Sequence, residues 1–375
     1  MRYRRFGKTN LQLSVFSLGM MHCCHSELNL AKTLKKAISL GINHFETARA
    51  YGKSEQYLGL ALEKLGLNRP EIIITTKLSP TASYQQMQEW INQSLHRVKV
   101  EYIDCLAIHG LNTWEHLTWI ESSKGCISAL FEAKKEGKVK HIGFSTHGSL
   151  DLILATIKTD LFEFVNLHYY YFFQRHLPAI ELAVEKDLGI FIISPADKGG
   201  RLYNPPEKLK QLSQPLSPLH LNYRFLLANP GITTLSIGAA SPEELINPLE
   251  IAHQDYPLTE EEKQIIGKIE IELAQKLDTD LCKQCYHCLP CPENINIPEI
   301  LRLRNLAVGL NMTEYGQYRY RMLENAGHWF PGNKGDKCTT CGDCLPRCPQ
   351  KLNIPELLFD SHRRLNGASR RRLWE

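Results

Sequence analysis

Four side chains in the first third of the chain have the types and the placement to share one reaction. Glu46 and Tyr51 lie in GINHFETARAYG, residues 41–52. Lys77 ends the apolar run IIITTK, and His109 ends CLAIH. A phenol has a reference pKa of about 10, too high to work unaided at neutral pH. An ammonium beside its oxygen favours the phenolate. An imidazole can hydrogen-bond to the same substrate oxygen. A carboxylate can pair with the lysine and fix its position. The set would protonate an alkoxide as hydride arrives at a carbonyl carbon, and deprotonate an alcohol as hydride leaves. A lone Tyr or His is structural more often than catalytic, so the reading depends on elements that bring all four to one place.

Those elements are legible as eight strand–helix units. Apolar strands are expected at 12–19, 44–48, 72–77, 102–108, 141–144, 164–167, 189–194 and 234–237. Helices are expected at 30–40, 54–65, 83–97, 125–136, 150–156, 178–185, 218–228 and 242–249. The strands are apolar on both faces, which fits a parallel sheet covered by helices. Eight such units match a closed (β/α)8 barrel. An open doubly wound sheet would want a glycine-rich turn after its first strand, and VFSLGMMHCC has one glycine there. Ligands of such a barrel bind where the strands end. The ends carry Glu46, Lys77, His109, Ser145 with Thr146, Asn166 with His168, Ser194, and Ser236 with Gly238. His22, Cys23, Cys24 and His25 follow the first strand. Adjacent side chains on extended backbone point opposite ways, so we read them as a loop lining a pocket and not as a metal site. Cys105 and Cys126 read as core. The segment 197–218, with Lys198 and Arg201, is long for a loop and is expected to fold over a ligand.

Composition bounds the rest. The 375 residues are 43% hydrophobic and 22% charged, an ordinary globular mixture with room for a large domain and a smaller one. A net charge of +4 without a concentrated patch argues against nucleic acid. No apolar run is long enough for a membrane span, and the N-terminus has no apolar signal segment. Twelve cysteines without an export signal place the protein in a reducing cytoplasm.

Eight of the cysteines fall between Cys282 and Cys348. Cys282, Cys285, Cys288 and Cys291 form one quartet; Cys338, Cys341, Cys344 and Cys348 form the other. The second has the C-x2-C-x2-C-x3-C-P spacing of a [4Fe–4S] ferredoxin, and the first is one residue shorter. CPENINIPEI repeats as CPQKLNIPEL, with Pro298 and Pro355 just inside expected helices. Zinc knuckles would explain eight thiols but not three closely spaced ones plus one remote. The module resembles two-cluster bacterial ferredoxins. That resemblance implies one cluster on Cys282, Cys285, Cys288 and Cys348, and another on Cys338, Cys341, Cys344 and Cys291. The expected organisation is a barrel at 1–257, a linking helix at 258–280, a small, mostly helical iron–sulfur domain at 281–360, and a basic tail at 361–375.

The first 260 residues or so resemble the aldo-keto reductase superfamily. The matching stretches are GINHFETARAYG, ITTKL, LAIHG, GFSTHG and TTLSIGAASPEEL. The resemblance implies a (β/α)8 barrel, an aspartate–tyrosine–lysine–histidine tetrad, and a nicotinamide cofactor, NADP(H) or NAD(H), bound without a Rossmann fold. Tyr51 takes the proton-donor position, with Lys77 and His109 beside it. Glu46 stands where the family usually has aspartate. Ser145, Asn166, Ser194, Ser236, Gly238 and Glu244 fall at positions facing the cofactor. The stretch 237–244 lacks the family's usual bases for the 2′-phosphate, so Lys198 or Arg201 would replace them. Two functions compete. One is an NAD(P)H-dependent reductase of a small carbonyl, with clusters for electron transfer, sensing or structure. The other is an electron-transfer or sensing protein whose barrel has lost catalysis. The basic tail would suit an acidic redox partner.

Overall fold

The computed structural model describes residues 1–67, 69–254 and 257–369. The chain divides into two compact units. The first is Met1–Gly199 with Asn222–Pro257; the second is Gly200–Leu221 with Leu258–Glu375.

The first unit is a closed barrel. Two short strands, β1 (Tyr3–Arg5) and β2 (Gln12–Ser14), pair as an antiparallel hairpin. Eight parallel strands follow: β3 (Phe16–Gly19), β4 (His44–Glu46), β5 (Ile73–Leu78), β6 (Ile103–His109), β7 (Val139–Ser145), β8 (Phe164–Leu167), β9 (Gly189–Ile192) and β10 (Thr234–Ile237). Each pairs with the next in sequence, and β10 closes on β3. Every residue of β5 and β6 is buried, as expected of strands covered on both faces. Cys105 and Cys126 are wholly buried in this core.

Sequence read 12–19 as one strand. The structure breaks it at Ser14, whose hydroxyl donates to the Phe16 carbonyl at 2.6 Å. The first half joins the hairpin, which covers the strand-start end of the barrel. Phe6, at its turn, packs with Ile73, Phe164 and Phe191. Gly7 allows a close approach: a Cβ there would lie 2.2 Å from the Gly189 nitrogen. Ser26, Ser83, Thr113 and Ser149 cap the helices Glu27–Ser39, Tyr84–Val98, Trp114–Glu121 and Leu150–Lys158. Each accepts a backbone N–H three residues on, a contact worth about 1 kcal/mol.

Inside the barrel His44 is fully buried between Ser17 Oγ at 2.6 Å and Thr75 Oγ1 at 2.7 Å. Burial, and then the charge of Lys77, pulls its pKa down to about 3. His44 is therefore neutral when folded, whereas the unfolded side chain takes up a proton below about pH 6.5. Its contribution is present above that pH and is lost as pH falls toward 3. The expected loss is on the order of a few kcal/mol. Urea midpoints measured from pH 7 to 4 should fall less steeply for His44→Gln than for wild type. Parallel curves would contradict this.

The second unit is helical. Helix Glu260–Leu277 opens with the expected capping box of Thr259 and Glu262. Helices Ile297–Leu310, Thr313–Tyr320 and Ile354–Leu365 follow, the first and last with proline in the first turn. The segment Gly200–Leu221, which sequence assigned to the barrel, belongs here. Lys208 pairs with Glu272 at 2.6 Å, and Arg201 stacks on Tyr318 at 5.2 Å. Helix 260–277 likewise belongs to this unit and not to the barrel. The cysteine repeat is also a backbone repeat. Gln284 and Thr340 share positive φ values of 54° and 56°, and Asn294 and Lys351 share 53°. Of the expected basic tail, Arg363 and Arg364 sit on the last helix, paired with Asp360. Arg370, Arg371 and Arg372 lie outside the described residues. Among the described residues, no helix is long and apolar enough to cross a membrane.

Candidate active site and cysteine centre

The strand-end rim of the barrel gathers the four residues of the expected reaction. Glu46 ends β4 in register with Thr75 of β5. Lys77 lies two residues further on, so it points to the same face. The Lys77 ammonium contacts the Glu46 carboxylate directly, and both are buried. After β4 the chain still pairs with β5, Thr47 N–H to Thr75 O at 2.8 Å and Arg49 N–H to Lys77 O at 3.1 Å. It then turns, with Tyr51 N–H on Ala48 O, and enters the helix at Ser54. That turn returns Tyr51 over the rim. Lys77 Nζ lies 4.6 Å from the Tyr51 ring centroid, and the His109 ring meets Tyr51 edge-on at 5.7 Å.

The electrostatics suit a proton donor. Burial, and then nearby Cys24, raises the Tyr51 pKa, so the phenol holds its proton. Burial, and then the Lys198 ammonium, lowers Lys77. The Glu46 carboxylate works in the opposite direction on that lysine.

The other rim candidates fall as follows. Asn166 is fully buried at the end of β8, and both its amide oxygen and nitrogen lack a hydrogen-bond partner. Ser145 is buried at the end of β7, and its hydroxyl accepts Gly110 N–H at 3.2 Å. Ser194 adopts φ 54° just beyond β9. Ser236 lies across from Gly19, where a Cβ would stand 2.6 Å from its Oγ. Gly238 faces the His22 ring, which a Cβ would approach to 3.0 Å. Glu244 is exposed and accepts Ala240 N–H at 2.8 Å. Lys198 is buried, with Nζ 3.4 Å from His147 Nε2. Arg201 falls in the second unit, on Tyr203, Tyr318 and Glu314. Cys23–His25 form a short 3-10 turn, and the Cys24 thiol points to the Tyr51 carbonyl at 3.7 Å.

Sequence reasoning missed His147, although it lies within GFSTHG. It also missed Lys32 and Lys36, whose charges reach Glu243 beside the β10 end. Helical spacing on a surface helix gave no signal that these two lysines face a strand-end loop.

In the second unit the thiols of the two quartets act on one another. Burial raises Cys282, and Cys285 and Cys348 add to the effect by their charge. Burial, and then Cys282, pushes Cys288 up to about 12. Cys344 is raised by burial and then by Cys338, Cys341 and Cys291. A pocket is lined by Cys291, Cys338, Cys341 and Cys344, walled by Ile295 and Leu358. Cys291 thus lines one pocket with the second trio. A soft thiolate set in an apolar wall fits an iron–sulfur group.

The aldo/keto reductase family model matches residues 17–271. The chain belongs to the aldo/keto reductase family. A 4Fe-4S dicluster domain model matches residues 281–352 and indicates 4Fe–4S clusters. The uncharacterized oxidoreductase YqkF of Bacillus subtilis is 25% identical over 301 residues, 70% of this chain and 94% of that protein. Methylglyoxal reductase DkgA of Escherichia coli K12 is 33% identical over 155 residues, 40% of this chain and 53% of that protein. Among solved structures, a holo-form aldo-keto reductase from Bacillus halodurans superposes with a TM-score of 0.63 and 25% identity. That alignment covers 72% of this chain and 96% of the other. Family and relatives support an oxidoreductase built on an aldo/keto reductase barrel.

Proposed function

We propose that the barrel rim interconverts a small carbonyl compound and its alcohol, with Tyr51 exchanging the proton. Bound NADPH or NADH supplies the hydride, or accepts it in reverse. The observation that carries this reading is the position of Lys77, in contact with Glu46 and directly over the Tyr51 ring. The carboxylate holds the ammonium in place. In this reading the ammonium, 4.6 Å from the ring centroid, would stabilise negative charge on the phenol oxygen as the proton leaves. His109, edge-on to the same ring, would orient the substrate oxygen. Asn166 fits the cofactor: its buried amide has a donor and an acceptor to offer, which a carboxamide would satisfy. Ser145, on the neighbouring strand, and Ser236, at the end of β10, are further candidates. Reduction of an aldehyde panel, with Tyr51→Phe as control, tests the reading. No activity above that control contradicts it.

The 2′-phosphate of NADPH needs a cation. Lys32 and Lys36 supply charge near the β10 end, whereas Arg201 is engaged with Glu314 and two tyrosines of the second unit. We assign two 4Fe–4S clusters to the second unit, one per cysteine group, and place the protein in a reducing cytoplasm. Electron exchange with an acidic redox protein is one use for them.

Glu46→Gln removes the charge and keeps the shape. Single-turnover hydride transfer is expected to slow by about 10- to 100-fold, with cofactor affinity within about twofold. Leaving Lys77 buried without its carboxylate should also cost about 3 kcal/mol of stability. Glu46→Asp should be milder. A Glu46→Gln rate equal to wild type would make the carboxylate a bystander.

A further inference from the structure

The two cysteine repeats differ in length by one residue. Cys288, Leu289, Pro290 and Cys291 in the first stand against Cys344, Leu345, Pro346, Arg347 and Cys348 in the second, so Arg347 is the added residue. Its half-buried side chain reaches the place where the first repeat is short. Nη2–H donates to the Pro290 carbonyl at 2.9 Å, and Nε–H donates to the Asp343 carbonyl at 2.8 Å. Pro290 precedes Cys291, and Asp343 precedes Cys344. One planar fork therefore joins the backbone beside two thiols of different quartets. Both of those thiols line the same pocket, and so does Arg347.

The far side of Cys291 is held independently. The Asn333 side-chain amide donates to the Glu293 carbonyl at 2.8 Å, and the Asn333 N–H donates to the Asn294 carbonyl at 2.9 Å. Cys291 is thus bracketed by contacts of Arg347 before it and of Asn333 after it. Removing the guanidinium frees one side and leaves the other, so the loop loosens without losing its place in the fold. Arg347 also brings charge. Among the described residues lining the pocket it is the one lysine or arginine, against the acids Glu293 and Asp343. One-electron reduction of a 4Fe–4S cube adds a negative charge to a site that already holds four thiolates, and net charge is one of the factors that set its potential. A cation in the wall favours that step.

We propose that Arg347 clamps Cys291 against the second cysteine trio and raises the reduction potential of the cluster held there, a role that rests on the cluster assignment above. The side chain that one repeat has and the other lacks serves one cube, and the two clusters are unequal for that reason.

Two readouts on the anaerobic holoprotein decide it: dithionite titration followed by electron paramagnetic resonance, with dithionite as the electron donor, and transfer of iron to a chelator. In Arg347→Gln, reduction of one cluster should become about tenfold less favourable, about 59 mV for one electron, with the other cluster unchanged. About four of about eight irons should also reach the chelator about tenfold faster than in wild type. Arg347→Lys keeps the charge but not the fork. Its potentials should match wild type while the fast iron release persists. In a Cys285→Ser background, expected to keep only the cube on the second trio, Arg347→Gln should give the same shift. Equal potentials and equal iron release in wild type and Arg347→Gln would overturn the proposal. So would both clusters shifting together, which marks a general loosening of the unit, or a shift absent from the Cys285→Ser background. Wild-type iron release in Arg347→Lys would overturn the clamp. Wild type lacking iron and sulfide would remove the cluster assignment itself, and the role of Arg347 with it.

Discussion

Replacing Tyr51 by phenylalanine is expected to lower carbonyl reduction by about 10³-fold while the chain stays folded. The variant keeps the ring that His109 meets edge-on and that Lys77 overlies, so packing at the rim is preserved. It loses only the hydroxyl. Burial raises the pKa of that hydroxyl, so the group removed is a phenol that still holds its proton at neutral pH. The effect should appear in kcat, with cofactor Kd within about twofold, as expected for a group that acts only in the transition state. Stopped-flow oxidation of NADPH or NADH with a reducible aldehyde measures it. A rate within tenfold of wild type would remove Tyr51 from the donor role.

The cysteine groups predict an asymmetric result from paired substitutions. Cys285→Ser with Cys348→Ser removes two thiols from one group, and about four irons per chain should remain, one intact cube. Cys285→Ser with Cys291→Ser removes one thiol from each group, and iron should fall well below that level. Cys348 lies close enough to Cys282 to act on its thiol, whereas Cys291 lines the pocket with Cys338, Cys341 and Cys344. Iron and sulfide analysis of anaerobically purified protein makes the comparison. If Cys285 with Cys291 gives the mild result, each quartet holds its own cluster and the crossed assignment is wrong.

Much of the barrel was legible because its signals are local. β8 and β10 fall at the expected residues, since a short apolar run between turns leaves little freedom. The rim followed from the same signals: a polar group at the end of each strand has one mouth to face. Glu46 and Lys77 could be expected to meet because their strands are sequence neighbours with alternating faces. The hairpin was not legible, because Ser14 interrupts an otherwise continuous apolar pattern only through its contacts with Phe16 and Asn43. The fate of 200–221 was not legible either. Lys198 and Arg201 are three residues apart, yet one lies buried at the barrel rim and the other packs in the second unit. Between them Gly200 adopts φ 143°, which frees the chain to change course. No pattern of apolar residues records that turn. The cysteine repeat was visible in its spacing and its prolines. Its positive-φ pairs at Gln284 with Thr340 were hidden, because neither residue type requests that conformation.

The most direct measurement follows the hydrogen itself. NADPH or NADH deuterated at C4 is mixed anaerobically with the holoprotein and an aldehyde, and the alcohol is analysed by mass spectrometry. The expected alcohol carries one deuterium on the former carbonyl carbon and a hydroxyl proton drawn from solvent, and labelled product is lost in Tyr51→Phe. Absence of labelled alcohol, with the cluster absorbance bleaching on addition of the nucleotide alone, would contradict it and leave an electron-transfer protein on a silent barrel.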